Sequence, residues 1–438
     1  MTGSYSRLCR NLEYGRSLLG RYEERVWPGD PAGATRAERT PCRFRAYVAD
    51  TLVGADLELR ASVAADLADI EQQVRHLNDA HPGLANLEPL ARFLLRAEAV
   101  ASSNIDGLVV NVRRLARSEE TEREGLPVTD TTARAVLGNV RALDEALTLA
   151  ADPARPVSVD DITAIHKALL AATREEAWAG IVRREQNWIG GANPCSAAFV
   201  PPPAEFVPEL LTDLAAYLSG DEHPALLQAA LAHSQFETIH PFADGNGRTG
   251  RALIQLVLRR RGVATRVVPP ISLVLATQAD RYVDALDETR IDGSPMAGQL
   301  AWVELFLSAT GRACRDASQF VTDLVSLERS WRERLGRVRA NSATDLLLTA
   351  LPSLPVFSIT TAAIHIGRTF QATSDAVNRL ADSGVVRQVS LGRRNRRFEA
   401  VGLFEAFTGF ERVLASPDSD TQVSPPTRPV PQRPAQQP

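Results

Sequence analysis

Twelve consecutive residues from His240 to Arg251, HPFADGNGRTGR, hold the side chains of this chain best suited to chemistry. Glycine amides and arginine side chains bind phosphate groups, and an imidazole that titrates near neutrality can take a proton from an attacking hydroxyl. Asp244 alone would repel a phosphate, so its presence indicates a bridging cation, for which Mg²⁺ has the right ligand preference. The stretch predicts phosphoryl or nucleotidyl transfer to a hydroxyl group.

The segments on both sides must position this stretch. Apolar residues at spacings of three to five predict a helix with one buried face over 224–239, which leaves His240 at its C-terminal end. Pro241 discourages further helix, and the glycines that follow permit a tight loop. A second helix begins after the loop and stops at Gly262. Its N-terminus presents unpaired N–H groups and the positive end of a dipole, which favours phosphate binding there.

The stretch resembles the signature of the Fic (filamentation induced by cyclic AMP) family at every position that defines it. The resemblance implies a helical fold and transfer of AMP from ATP to a Ser, Thr or Tyr hydroxyl of a protein. It assigns these roles: general base, His240; Mg²⁺ ligand, Asp244; nucleotide-binding residues, Gly245, Asn246, Gly247, Arg248, Gly250 and Arg251; core anchor of the loop, Phe242. A glycine-rich turn between helices is the competing interpretation, which eight constrained positions disfavour.

A second segment of the chain, residues 183–203, extends the resemblance. It reads RREQNWIGGANPCSAAFVPPP, two short β-prone runs on either side of a Gly-Gly-Ala-Asn-Pro turn. In Fic proteins a similar hairpin, the flap, pairs with the target protein by β-strand addition. The resemblance therefore implies that Trp188, Ile189 and Gly190 dock the target, whereas an ordinary surface hairpin is the alternative.

A third segment, Ser102 to Gly107 (SSNIDG), concerns regulation. Many Fic proteins carry an inhibitory helix with Ser or Thr, three residues, then Glu and Gly, and the glutamate pairs with the second arginine of the signature. The resemblance implies that Asp106 pairs with Arg251 here, with Ser102 and Gly107 as the other inhibitory positions. Asp reaches about 1.5 Å less than Glu, roughly one carbon–carbon bond, so we expect weaker inhibition or a closer helix. Local capping by an Asp-Gly turn is the alternative interpretation of Asp106.

Composition sets the broader limits. The formal net charge of −4 over 438 residues gives no global reason to expect nucleic-acid binding. We find no run of 18 apolar residues and no apolar signal core near the N-terminus, so we expect no membrane contact and a cytoplasmic location. Four scattered cysteines without metal-ligand spacing predict structural or incidental thiols: Cys9, Cys42, Cys195 and Cys314.

Residues 1 to about 60 are expected to be loop-rich, with one short extended piece at 44–48. The remaining pattern is helical, with a change of character near the C-terminus. Helices are expected over 61–77, 84–103, 130–151, 159–172, 278–289 and 297–312, and an apolar stripe runs over 313–339. His166 is interpreted as a packing or hydrogen-bonding residue, while Tyr282 suits either adenine contact or the core. The predicted domains are an N-terminal Fic-associated segment (1–75), the Fic catalytic core with an inhibitory helix near 95–107 (76–312), a connecting helix (313–342), a winged helix (343–409) and a disordered Pro-rich tail (410–438).

The winged-helix prediction follows from a helix, a turn, a second helix and a hairpin over residues 360–400. Four arginines in the predicted wing suit a DNA phosphate backbone: Arg393, Arg394, Arg396 and Arg397. Use of the module for protein contacts or dimerisation is the alternative.

The predicted fold is therefore mainly α, a Fic-type helical core with a small β-hairpin flap and a C-terminal winged helix-turn-helix domain. The predicted function is that of an autoinhibited protein adenylyltransferase that uses ATP and Mg²⁺ on a protein substrate. The alternatives are transfer of another phosphate-containing group, or an ATP-sensing transcriptional regulator that binds DNA. A homodimer is a further prediction for the assembly.

Overall fold

The computed structural model of the protein describes residues 20–79, 87–290, 295–390 and 396–415. Its helices are α1 (Arg36–Arg39), α2 (Ala61–Leu77), α3 (Glu88–Ile105), α4 (Val112–Arg123), α5 (Thr131–Leu149), α6 (Val159–Leu170), α7 (Val207–Ser219), α8 (Ala225–Ile239), α9 (Asn246–Arg260), α10 (Ile271–Leu275), α11 (Ala279–Glu288), α12 (Pro295–Leu335), α13 (Ala343–Ala350), α14 (Ile359–Ile366), α15 (Phe370–Asp382) and α16 (Leu403–Ala415). The mainly α prediction is confirmed.

Helices α8 and α9 form the centre of the core, and α5, α6 and α12 pack around them. Every residue of α8 is buried, so the predicted single buried face is wrong; helices that are covered on all sides lie inside large cores. Helix α9 is likewise buried along most of its length. The loop that joins these two helices is therefore held at both ends by the best-packed part of the molecule.

The N-terminal region contains a β-hairpin, where the sequence suggested a loop-rich entry with one short extended piece. Strands β1 (Arg21–Trp27) and β2 (Cys42–Val48) pair antiparallel, with Arg21 opposite Val48 and Trp27 opposite Cys42. Strand β2 coincides with the extended piece that was expected. Strand β1 was missed because its RYEERVW sequence is charged and only partly buried.

The cysteine prediction is wrong for two of the four residues. Cys42 of β2 and Cys195 form a disulfide across a separation of 153 residues. Cys314 is a buried free thiol, and Cys9 lies outside the described residues. Disulfides are rare in reducing compartments, so this bond does not favour the cytoplasmic location, which stays a prediction.

Helix α12 runs without a break through the point at residue 312 where the sequence suggested a boundary between the core and a connecting helix. Trp302 near its start donates a hydrogen bond from its indole N–H to the Ala230 carbonyl of α8 (2.8 Å). Trp331 near its end donates to the carbonyl of Val401 (3.0 Å). One helix thus packs against both the core and the C-terminal elements.

The C-terminal elements include strands β3 (Val356–Ser358), β4 (Val386–Gln388) and β5 (Arg397–Ala400), which form an antiparallel sheet in the order β3-β5-β4. Helices α14 and α15 precede the β4-β5 hairpin, which is the predicted order. The sheet packs against α4, a helix that the sequence analysis missed because its VRRLARSEETER sequence is mostly charged. Helix α7 was also not predicted.

Contacts between α4 and the C-terminal elements are buried and charged. Glu120 is fully buried and accepts hydrogen bonds from the Ser358 N–H (2.7 Å) and the Thr361 hydroxyl (2.6 Å). Glu399, also fully buried, pairs with Arg113 of α4 at 3.3 Å. Among the helices of the described ranges, none combines the length and apolarity needed to cross a bilayer.

Candidate active site

The loop between α8 and α9 has the backbone shape that the sequence predicted. His240 caps α8 in the left-handed region (φ 48°), and Pro241 follows it. Gly245 has φ 76° and is the N-cap of α9, which begins at Asn246. The first N–H groups of α9 therefore face the loop without helical partners, which is the geometry of an anion site.

The loop is braced from inside by Asn246. Its side-chain oxygen accepts from the N–H of Phe242 (2.9 Å), and its side-chain NH₂ donates to the Phe242 carbonyl (2.9 Å). Both the oxygen and the nitrogen of the Asn246 side chain thus bond to the backbone of Phe242. The phosphate-binding role that the resemblance implies for Asn246 stays a prediction. Phe242 itself is completely buried, as expected for the anchor of the loop.

His166 of α6 is a second brace, and its predicted packing and hydrogen-bonding role is confirmed. Its ring stacks on Phe242 at 3.7 Å between centroids. Its Nδ1 accepts from the Gly180 N–H (2.9 Å), which leaves Nε2 to donate to the carbonyl of Asp244 (2.9 Å). Burial lowers the pKa of His166 to about 4, so the ring stays neutral and keeps this tautomer.

Two glycines of the loop and of α9 are required by close contacts. A Cβ on Gly247 would lie 2.9 Å from an Arg251 Nη atom and 3.0 Å from the Asp106 Oδ1 atom. A Cβ on Gly250 would lie 2.5 Å from a carboxylate oxygen of Glu237. The first glycine lets the Asp106 carboxylate approach the start of α9, and the second lets α9 pack closely on α8.

His240 is positioned through its backbone. Its carbonyl accepts hydrogen bonds from Arg183 Nε (2.8 Å) and Asn187 Nδ2 (3.3 Å), and its ring Nδ1 is buried with no hydrogen-bond partner among the described residues. Burial, together with the positive charges of Arg290 and Arg183, lowers the pKa of His240 to about 3. The imidazole is therefore neutral at physiological pH, which is the form that accepts a proton.

Asp106 lies against both arginines of the loop. Its Oδ1 accepts from Arg251 Nη2 at 2.7 Å, and its Oδ2 lies 3.1 Å from Arg248 Nε. Arg251 also donates to the hydroxyl (2.8 Å) and the carbonyl (2.7 Å) of Ser102. Gly107 follows in the left-handed region (φ 81°) and ends the helical turn. The shorter Asp side chain reaches both guanidinium groups, so its reach does not prevent the pairing.

Arg251 is 2% exposed, and its charge is compensated inside the protein. Burial by itself lowers an arginine pKa, yet the Asp106 carboxylate beside it holds the pKa of Arg251 above its usual range. The Asp106 carboxylate thus pairs with the guanidinium group that a phosphate would otherwise contact. Arg248 is also buried, with its second ion pair to Asp244 at 3.6 Å.

A buried polar cluster beneath Arg251 was not found from the sequence. Glu98 of α3 and Glu237 of α8 are both buried, and burial raises the pKa of each carboxyl to about 7. Tyr282 is also buried, and its hydroxyl lies 2.7 Å from His233 Nε2, so it belongs to the core and not to an exposed adenine site. The residues of this cluster come from three separate helices, so no pattern of neighbouring residues in the sequence predicts the cluster.

The predicted flap is smaller than a regular hairpin. It contains a single antiparallel bridge, in which Ile189 N–H donates to the Phe199 carbonyl (2.8 Å). Gly190 takes φ 71° at the start of its turn. Trp188 packs edge-on against Trp27 of β1, with 5.4 Å between ring centroids.

The N-terminal hairpin holds the flap in place. The Tyr47 N–H of β2 donates to the Val200 carbonyl (2.9 Å), and the disulfide joins Cys42 of β2 to Cys195 in the flap turn. No such role was predicted for the N-terminal residues or for the cysteines. The signal was the presence of one cysteine in each segment, which spacing alone could not pair.

The arginines of the predicted wing divide into two groups. Arg393 and Arg394 lie outside the described residues. Arg397 bonds to the Thr121 hydroxyl (3.0 Å) and to Glu124 (2.5 Å), and Arg396 lies over the ring of Phe398 at 5.5 Å. Arg397 is therefore engaged in a contact within the chain.

A divalent cation fits the exposed carboxylate of Asp244. This side chain is 57% exposed, stands next to the α9 N-terminus and has one long ion pair. Mg²⁺ commonly takes one or two protein carboxylates together with phosphate oxygens. Within the described residues no three His, Cys, Asp or Glu side chains form a metal cage, so the phosphates of a bound nucleotide would have to complete the coordination.

Comparison with known proteins agrees with the site. Residues 156–258 match the Fic/DOC family, and residues 64–148 match the Fic/DOC family N-terminal region. Protein adenylyltransferase fic-1 of Caenorhabditis briggsae is 34% identical over 129 residues, 29% of this chain and 23% of the relative. The probable protein adenylyltransferase aq_aa38 of Aquifex aeolicus is 26% identical over 210 residues, 46% of this chain and 57% of the relative.

A crystal structure of a Fic family protein from Desulfovibrio desulfuricans G20 aligns with a TM-score of 0.49 and 22% identity, over 79% of this chain and 97% of the other. The chain spans less than two thirds of the length of the two curated relatives. The described part of the chain is mainly helical, and the loop between α8 and α9 lies within the matched segment 156–258. The two family matches show that residues 64–148 and 156–258 are similar to the Fic/DOC family.

Proposed function

We propose that this chain is a protein adenylyltransferase, which transfers AMP from ATP to a Ser, Thr or Tyr hydroxyl of a protein. The observation that carries the proposal is the neutral imidazole of His240 at one end of a loop whose other end is the N-terminus of α9. The names of the relatives, which are protein adenylyltransferases, support the same chemistry.

The proposed reaction is a displacement at the α-phosphorus of ATP. The hydroxyl oxygen of the target forms the new bond to this phosphorus, the bond to the β-phosphate oxygen breaks, and diphosphate leaves. His240 Nε2 takes the hydroxyl proton, because Nδ1 is buried and turned away from solvent. The negative charge of the phosphates would raise the pKa of this imidazole from its low value and improve it as a base.

The phosphates are held mainly by the protein backbone and by arginine. The N–H groups at the start of α9 and the guanidinium of Arg248 surround the loop and would bind the phosphates. A positioned general base such as His240 contributes about 10² to 10⁴ in rate. Asp244 would hold Mg²⁺, which would neutralise phosphate charge when bound. Positioning and electrostatics supply the rest of the rate in phosphoryl transfer.

We also propose that Asp106 inhibits this reaction. Its carboxylate pairs with Arg251 and Arg248, the two arginines near the start of α9 that we propose for the β- and γ-phosphates. ATP would have to displace this carboxylate before its γ-phosphate could meet Arg251. The alternative of a purely local Asp-Gly cap is less favoured, because both carboxylate oxygens point at arginines 142 and 145 positions away in the sequence.

Incubation with ATP and Mg²⁺, followed by intact mass measurement of every protein in the mixture, tests the proposal. A mass increase of one AMP on a protein, the chain itself included, is the expected result. A phosphate or another nucleotide would favour transfer of a different group. Absence of any transfer from wild type and from an Asp106 variant would contradict the enzyme assignment.

The second candidate role, DNA binding, depends on the predicted winged-helix module at residues 343–409. Its element order favours the winged-helix prediction, yet Arg397 is paired with Glu124 and Arg387 with Glu399. Ion pairs within the chain reduce the positive charge that a phosphate backbone would need. The module packs on α4 of the same chain, and we propose no DNA-binding activity for it. Its use for contacts with other proteins or for dimerisation stays a prediction.

A further inference from the structure

A cleft of about 480 Å³ opens on one side of the catalytic loop. Its walls are mostly apolar and include Trp178, Ile181, Val182, Arg184, Trp188 and Ala243. Ala243 belongs to the loop itself, between the buried anchor Phe242 and the proposed Mg²⁺ ligand Asp244. Trp188 belongs to the flap. The cleft is therefore continuous with the two parts of the molecule that the proposed reaction uses.

Two large apolar side chains stand exposed in this cleft. Trp178 is 56% exposed and Ile181 is 52% exposed. Leaving this much apolar surface in water is unfavourable, and clustered exposed apolar side chains with a polar rim are typical of binding sites. Tryptophan in particular is enriched among residues that dominate protein interfaces. The cleft thus has the composition of a pocket for an apolar side chain.

Hydrogen bonds hold one wall of the cleft in place without any partner. Arg183 donates to the carbonyls of Pro202 (2.6 Å) and His240 (2.8 Å), and the Gln186 side chain donates to the Pro201 carbonyl (2.9 Å). These bonds tie the segment that lines the cleft to the base of the flap and to the catalytic loop. A preformed pocket costs less conformational entropy when it is filled.

The rim of the cleft carries two charged side chains of opposite sign. Arg184 and Glu185 are both exposed, and neither side chain forms an ion pair with the part of the chain that the structure describes. These charges can orient a polar peptide backbone and its flanking residues, whereas the apolar floor takes one large side chain. An extended protein segment fits this arrangement better than a small anion.

We propose that the cleft binds a large apolar side chain of the target protein, aromatic or long aliphatic, close in sequence to the hydroxyl residue that accepts AMP. This inference rests on the proposed adenylyltransferase function. A strand that pairs with the flap beside Ile189 runs past Trp188 and the catalytic loop, so a side chain on one face of that strand enters the cleft. The cleft then selects the target, while the flap binds its backbone.

The test uses the full chain, labelled ATP and a peptide library with a central Ser, Thr or Tyr and one fixed residue at each flanking position. Wild type is expected to prefer Trp, Phe, Leu or Ile at one flanking position. Trp178→Ser and Ile181→Ser are expected to abolish this preference and to raise KM for the preferred peptide about tenfold or more, the effect of losing an interface hot spot, with kcat unchanged. KM for ATP should stay at the wild-type value.

Ile364→Ser is the matched control, because Ile364 is 77% exposed and lies on α14 of the C-terminal module. It should leave the peptide preference intact. Wild-type preference and KM in both cleft variants would overturn the proposal, and an equal rise in KM for ATP would place the adenine in the cleft instead. Failure of every form to label peptide or itself would refute the adenylyltransferase function, which is a separate outcome.

Discussion

Replacing Asp106 by Asn removes one negative charge from the proposed inhibitory contact and keeps the size of the side chain. The carboxylate lies 2.7 Å from Arg251 Nη2 and 3.1 Å from Arg248 Nε, and its side chain is 26% exposed. A hydrogen bond to a charged group contributes about 1.5 to 3 kcal/mol. We take about 2 kcal/mol as the charge-dependent part that ATP must overcome in the wild-type protein.

This energy corresponds to an activation of about thirtyfold, because each 1.4 kcal/mol changes an equilibrium about tenfold. The rate of AMP transfer at subsaturating ATP should therefore rise by that factor in the Asp106→Asn variant. The assay is incorporation of labelled AMP into the chain itself or into a library peptide. Ser102→Ala is the matched control, since it removes a neutral hydrogen bond to Arg251 and leaves the carboxylate in place.

The same variant should be less stable without ligand, because Arg251 is buried and would lose a charged partner. We expect its Tm to fall and the increase in Tm on adding ATP to exceed that of the wild type, since the γ-phosphate replaces the lost carboxylate. Equal transfer rates for the variant and wild type, with an equal effect of ATP on Tm, would refute the reasoning.

Three further outcomes follow from the contacts. His240→Ala should lower AMP transfer about 10² to 10⁴-fold with unchanged Tm, and transfer at the wild-type rate would exclude this residue as the base. In the wild type, stability should fall as pH rises from about 4.5 to 7, because the folded protein keeps a proton on Glu98 that the unfolded chain loses. Glu98→Gln should make this fall smaller, and an unchanged slope of Tm against pH would contradict the raised pKa. Cys42→Ser should lower the free energy of unfolding by about 2 to 5 kcal/mol and should raise KM for peptide more than KM for ATP. As a control, a reductant should have the same two effects on the wild type and no effect on the variant.

Much of the catalytic loop could be predicted from neighbouring residues. The apolar spacing before His240, the proline after it and the glycines around Asn246 are local signals, and the helices that they predict are present. The bonds from the Asn246 side chain to the Phe242 backbone were not foreseen, since the family resemblance implied that Asn246 holds phosphate oxygens. The polar side chain turned inward because the buried backbone of Phe242 needs hydrogen-bond partners.

Contacts between distant segments were predicted only where a family resemblance supplied them. The pairing of Asp106 with Arg251 joins residues 145 apart, and residue spacing alone would not have selected it. The disulfide of Cys42 with Cys195 was missed for the same reason, as were the contacts that bind the C-terminal elements to α4. In each case the partners lie on elements whose relative position depends on the packing of the whole core.

The amino-acid sequence by itself determined the loop, its two helices and the chemistry of the groups within it, because turns, caps and helical periodicity depend on residues a few positions apart. Only the tertiary structure decided which charges meet and which are buried. Burial gives His240 its low pKa and Glu237 its raised pKa, and the approach of Asp106 at the end of α3 to α9 occupies the guanidinium of Arg251. Desolvation and Coulomb interactions depend on distance in space, and the order of residues along the chain does not contain that distance.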